Sequence, residues 1–233
     1  MYLTPSDAIS RIEADKAKLN KRYEMLRSIS QDMIALDYAQ EEYMEFKPKK
    51  NEHKESLHMS LMSETTGGKY VEQCADYIKI LKEFERSKRK PSEETVKSTR
   101  RKLLIDFCYM SYRMPEQTLQ DLDVDKSETN QKLDELKYVC QTLTRYGVTS
   151  NDYSKEFGQY FWNNTRYKDV VWCVCVGDKE RVEAYDIAKY IEDSDFRPYK
   201  SWWDKIFRKE QMDATLKAML NRLLELYVVI TNK

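Results

Sequence analysis

Apolar side chains recur along most of this chain at steps of three and four, the spacing that gathers them on one face of an α-helix. The first run is the longest: Ile9, Ile12, Leu19, Tyr23, Leu26, Met33 and Leu36. Ahead of it, Thr4-Pro5-Ser6-Asp7 offers an N-cap, a proline at the first helical position and an acid at the third. No glycine or proline follows until Pro48. The pattern therefore predicts one helix of about 40 residues, on the order of 60 Å long at 1.5 Å per residue. Lys16 and Ser30 interrupt a strict heptad, so the stripe is expected to follow the 3.6 period of a packed helix rather than the 3.5 of a long coiled coil. A helix of this length predicts an arm over 1–46 or a subunit contact, with Tyr23, Leu26 and Met33 as its contact residues.

Residues 47–68 are polar and hold two glycines; they read as a linker with a helical turn around Leu57, Leu61 and Met62. Val71, Cys74, Ala75, Ile78, Leu81 and Phe84 then mark a second helix. Pro91-Ser92-Glu93-Glu94 opens a third, with Val96, Leu103, Leu104, Phe107 and Met110 inward. Together they predict a helical hairpin over 69–113. Pro115 and the acids up to Asp125 suggest an acidic connector over 114–126, after which Ser127 would cap a helix closed by Gly147. Further helices are expected from Thr149-Ser150-Asn151-Asp152, around Val182–Ile191, and from Pro198 to beyond Tyr227. The apolar run Val170–Val176 suits a buried helix or a short β element, and its helical neighbourhood favours the helix. Residues 127–233 thus read as an aromatic-rich helical bundle. No internal repeat stands out.

Composition supports the same picture. Five glycines and five prolines in 233 residues leave little of the positive-φ backbone that hairpins and nucleotide-binding turns consume. The expected class is all-α. Lys+Arg and Asp+Glu are 40 each, so no net field draws the whole molecule to nucleic acid or membrane. No stretch approaches the roughly 18 apolar residues of a membrane span, and MYLTPSDAIS lacks the basic and apolar regions of a secretory signal. Cys74, Cys108, Cys140, Cys173 and Cys175 read as reduced thiols packed as small apolar groups. The expected setting is a reducing one, cytoplasmic or inside a virus particle.

Catalytic chemistry finds little support. His53 and His58 both lie in the polar segment, and Glu55-x-x-His58 is half of a di-iron motif whose other half has no histidine to form it. Asp121-x-Asp123-x-Asp125 begins like a calcium loop, but Lys126 and Lys132 occupy the places of its glycine and its bidentate glutamate. Cys173-x-Cys175 lacks zinc-site spacing. No catalytic, cofactor or metal residue is assigned, and none of these groups is expected.

Charge is distributed less evenly than its total implies. Arg86, Lys88, Arg89, Lys90, Lys97, Arg100, Arg101 and Lys102 face only Glu93 and Glu94 within their segment. This corner suits phosphate binding or a solvated face. Residues 182–208 have a helix–turn–helix-like layout with Lys200, Lys205 and Arg208 on the second helix. Against DNA reading there, Glu192 to Asp195 put acids in the turn, and Trp202 and Trp203 look more like contact anchors. The leading expectation is a non-enzymatic assembly or adaptor protein that contacts a protein partner or its own copies, a role that would suit a viral or phage structural component. The alternative is a DNA- or RNA-binding regulator.

Overall fold

The computed structural model describes residues 4–38, 57–62, 67–111, 113–147, 170–194, 196 and 214–232. Among them every regular element is helical, and the fold is all-α. We number the helices α1 (Pro5–Ala35), α2 (Leu57–Met62), α3 (Gly67–Arg86), α4 (Glu93–Ser111), α5 (Pro115–Arg145), α6 (Val170–Val176), α7 (Asp178–Asp193) and α8 (Ala214–Asn232). No helix among the described residues is long and apolar enough to cross a membrane. The helix expected after Thr149 and the stretch 198–213, with Lys200, Trp202, Trp203, Lys205 and Arg208, lie outside the described residues.

Helix α1 begins as the sequence predicts. The Thr4 hydroxyl accepts from the Asp7 amide at 3.1 Å and donates to the Asp7 carboxylate at 2.7 Å, satisfying an otherwise orphaned helical N–H. Its 31 residues fall short of the expected forty. The chain turns at Asp37, whose φ of 50° is a left-handed conformation that aspartate tolerates better than most residues. The expected connector over 114–126 is corrected by α5, which is helical from Pro115. Proline at the first helical position forfeits no bond, and the Thr118 amide bonds Met114 O at 2.8 Å. Ser127 is accordingly an interior surface position of a 31-residue helix rather than a cap. The 170–176 run is the helix α6.

The chain divides into two compact units, Ala17–Glu128 and Met1–Lys16 with Thr129–Lys233. Their boundaries fall inside α1 and α5, not at the polar segments. In the unit Ala17–Glu128, α3 and α4 form the expected antiparallel hairpin. Tyr70 stacks on Tyr109 with ring centroids 6.0 Å apart, and the Cys74 thiol points at Leu103 O. Helix α1 lies antiparallel to α5, pairing Glu24 with Lys126 and Arg27 with Asp123. Within the other unit the two helices pair in the same sense, Glu13 with Lys137 at 2.8 Å and Lys16 with Asp134 at 2.6 Å. There α5 also runs parallel to α7, as the partners Lys132–Asp178, Tyr138–Tyr185 and Arg145–Glu192 show. Helix α8 covers α7, with Arg222 on Glu183 at 2.7 Å.

These pairs disclose a repeat invisible in the apolar pattern. Glu13 and Lys16 recur as Glu24 and Arg27, eleven residues on; their partners Asp123 and Lys126 recur as Asp134 and Lys137. Eleven residues complete three helical turns almost in phase, so the same flank of each helix meets the same flank of the other. The buried stripe of α1 is Ile12, Asp15, Leu19, Arg22, Leu26, Ile29 and Met33. It alternates threes and fours, with two polar residues sitting on it. The expected break at Lys16 is therefore corrected: Lys16 flanks the stripe. Ser30, also buried, returns its hydroxyl to Leu26 O at 2.9 Å. Tyr23, Leu26 and Met33 have no exposed surface. They belong to the chain's own core, which corrects their assignment as external contacts.

Gly177 lies at the corner between α6 and α7. A Cβ there would stand 3.0 Å from Cys173 O and 3.6 Å from the Ile230 backbone of α8. Gly177→Ala should therefore lower stability by about 1–3 kcal/mol through overpacking, read as a lower midpoint in thermal unfolding followed by circular dichroism.

Candidate functional site

A concavity lies between α1 and α3, which run parallel in the unit Ala17–Glu128. Residues 25–32 of α1 lie against 75–86 of α3, and Lys82 bonds Asp32 at 2.8 Å. Met25, Ile29, Ala75 and Ile78 form an apolar floor. Ser28, Lys79, Glu83 and Arg86 stand exposed on its rim. The cavity measures about 380 Å³, toward the lower end of the range for small-ligand sites. It is apolar below and charged at the edges.

Arg86 joins this groove to the basic corner. Lys88, Arg89 and Lys90 project from the connection between α3 and α4, and Arg101 and Lys102 are exposed on α4. The Lys90 ammonium donates to Glu85 O at 3.0 Å, and Lys97 and Arg100 have duties of their own. Lys97 pairs with Glu93 at 2.6 Å on the surface of α4. Arg100 donates to Leu36 O at 2.9 Å, with its guanidinium carbon 4.4 Å from the centre of the Tyr38 ring, and the Tyr38 hydroxyl bonds back to Arg100 O. A cation at the last carbonyls of α1 opposes the negative end of that helix. Arg100 thus fastens the end of α1 to α4.

A buried polar node, missed in the sequence, lies elsewhere in the same unit. The Tyr23 hydroxyl donates to Asp125 Oδ2. The His58 amide reaches the same oxygen at 3.0 Å, and His58 Nδ1 lies 3.2 Å from Oδ1. Burial raises the Asp125 pKa, but the bonds from His58 and Tyr23 outweigh it and hold the carboxyl below its usual range. Nearby, the buried Arg22 donates to Leu61 O at 2.6 Å and fills the space where a Cβ on Gly68 would go. Asp125 and Arg22 together anchor both ends of the short helix α2. His58 is therefore no loose loop residue, and Asp125 no solvated acid.

The arrangement holds structure together rather than presenting a reacting group. The Asp125 carboxylate is consumed by bonds from α1 and α2. Among the described residues no three acids, histidines or cysteines stand together as a metal site. Cys74 and Cys140 are buried and their thiols pushed well above the ordinary range by desolvation, so they are poor nucleophiles. Cys74, Cys108, Cys140 and Cys173 are buried, as expected of thiols packed as small apolar groups, and Cys175 is partly so.

Asp125→Asn leaves the node short of a charge-assisted acceptor and should cost about 1–3 kcal/mol at neutral pH. Because the folded pKa is depressed, the carboxylate's contribution is fully present above the unfolded value of about 3.9 and fades as pH falls through the folded one. Urea unfolding at several pH values should therefore show wild type and variant converging below about pH 4.

No protein family, curated protein or solved structure matches this chain.

Proposed function

We propose that this chain is a non-enzymatic helical assembly protein that holds other polypeptides in the α1/α3 groove. The groove itself carries this reading. An apolar floor between two parallel helices, edged by exposed lysine, arginine and glutamate, suits the apolar face of a helix with charges on its flanks. A reducing compartment, cytoplasmic or within a virus particle, would keep the five thiols free.

Crosslinking through Lys79 and Lys82 tests it in the cells that make the protein. Mixing isotopically light and heavy chains distinguishes links within a copy from links between copies. Crosslinks to another polypeptide, lost in Ser28→Arg because the longer side chain fills the exposed rim, are expected. Links confined to single copies, with none between copies or to another protein, would refute the reading.

A second reading rests on the exposure of Arg86, Lys88, Arg89, Lys90, Arg101 and Lys102 around one helical corner. It makes the protein a binder of DNA or RNA backbone. Fluorescence anisotropy with mixed-sequence duplex should then show affinity falling by orders of magnitude between about 50 and 200 mM salt. Lys88→Glu with Arg89→Glu should remove it, and Arg100 should be left intact because it secures α1. Unchanged affinity in that double variant would end this reading.

A further inference from the structure

We propose that copies of this chain join head to tail, the outer face of α7 of one copy seated on the α1/α3 groove of the next. The inference rests on the assembly reading and names its partner.

Six exposed charges carry it. On α3 they are Lys79, Glu83 and Arg86; on α7 they are Asp186, Lys189 and Asp193. None makes an ion pair with a described residue, although their neighbours do: Lys82 with Asp32, Glu183 with Arg222, Glu192 with Arg145. Lys69, Glu72, Asp76 and Glu85 of α3 and Lys179 of α7 are exposed and unpaired as well, but of the unpaired charges on α3 only Lys79, Glu83 and Arg86 line the groove. Those three run plus, minus, plus, and Asp186, Lys189 and Asp193 run minus, plus, minus. Taken in opposite directions the intervals also agree. From Arg86 back to Glu83 and Lys79 the steps are three and four, as they are from Asp186 on to Lys189 and Asp193. Two antiparallel helices of equal rise then set Arg86 against Asp186, Glu83 against Lys189 and Lys79 against Asp193, over about 10 Å.

That register places an anchor over the cavity. Tyr190 of α7 is 57% exposed and falls between Lys189 and Asp193. It faces the stretch of α3 between Lys79 and Glu83, where Ile78 and, from α1, Ile29 form the floor. The cavity of about 380 Å³ admits one aromatic ring. Exposed ion pairs contribute little affinity individually; the ring supplies the burial and the charges select the register. Because knob and groove are different patches, each copy keeps one of each unused after the first contact. The assembly grows until a ring closes or a filament forms.

Sedimentation velocity on the full chain across the micromolar range tests the contact. The wild type should grow beyond a dimer with concentration. Tyr190→Glu, which spoils the knob, and Ser28→Arg, which blocks the groove, should each be monomeric. An equimolar mixture of the two should form a dimer and stop, since one variant retains a groove and the other a knob; that result also shows both variants are folded. Glu83→Lys should weaken growth about tenfold through the like charge it sets against Lys189, and Lys189→Glu in the same chain should restore it. A wild type monomeric at every concentration, a mixture that stays monomeric, or growth indifferent to both substitutions would overturn the proposal. A monomer whose Lys79 and Lys82 still crosslink to a different polypeptide would overturn the head-to-tail contact alone and leave the assembly reading standing.

Discussion

The antiparallel pairing of α1 with α5 is the constraint on which the rest of the structure depends. Both compact units draw on these two helices, and in each the same acid-and-base flanks face one another. The exposed pairs themselves add little stability. Their weight lies in register, because a slip of one turn would set glutamate against aspartate in one direction and lysine or arginine against lysine in the other. Burial of Ile12, Leu19, Leu26, Ile29 and Met33 along the inner stripe of α1 supplies the drive, and the charges on its flank decide the register against α5.

Polar residues inside that seam have a different task. The position of Tyr23 on α1 corresponds, eleven residues earlier, to Ile12, and that of Asp125 on α5, eleven residues later, to Leu136. Ile12 and Leu136 are buried and apolar, the ordinary occupants of such a layer. In the unit Ala17–Glu128 the layer is rebuilt from a phenol and a carboxylate, and His58 completes it. An apolar layer would accept α2 in many orientations. A carboxylate that needs its donors accepts one, and Arg22 on Leu61 O fixes the other end. The short helix is thus held by direction-dependent bonds where its six residues could not fold alone.

How much of this was legible in the sequence follows from what each feature depends on. Helix α1, the α3/α4 hairpin and the packed cysteines depend on local spacing, and local spacing was enough. The start of α5 was misread because its acids look solvated, although Leu122, Asp125 and Thr129 continue the rhythm of Leu133 and Leu136. The heptad of α1 was misplaced because Asp15 and Arg22 occupy positions where an apolar residue is the usual occupant. The node was beyond reach, since His58 and Asp125 are 67 residues apart and nothing in the local pattern of either segment brings them together. The groove depends on α1 and α3 lying parallel, which no local pattern encodes. Arg100 looked like a member of a basic patch until its bonds to Leu36 and Tyr38 were placed.

The eleven-residue recurrence also makes the helix pair a ruler. Eleven residues rotate an ideal helix by three turns plus only about 20°. Removing or adding that number in α1 and α5 together would bring every surviving charge back to a partner of opposite sign. A change of five or nine would swing the flanks away from each other and strand them. The length of this pair is therefore graduated in steps that keep phase, about seven or eleven residues, and divergence between long and short forms of such a chain would be tolerated at those marks and resisted at changes such as five or nine.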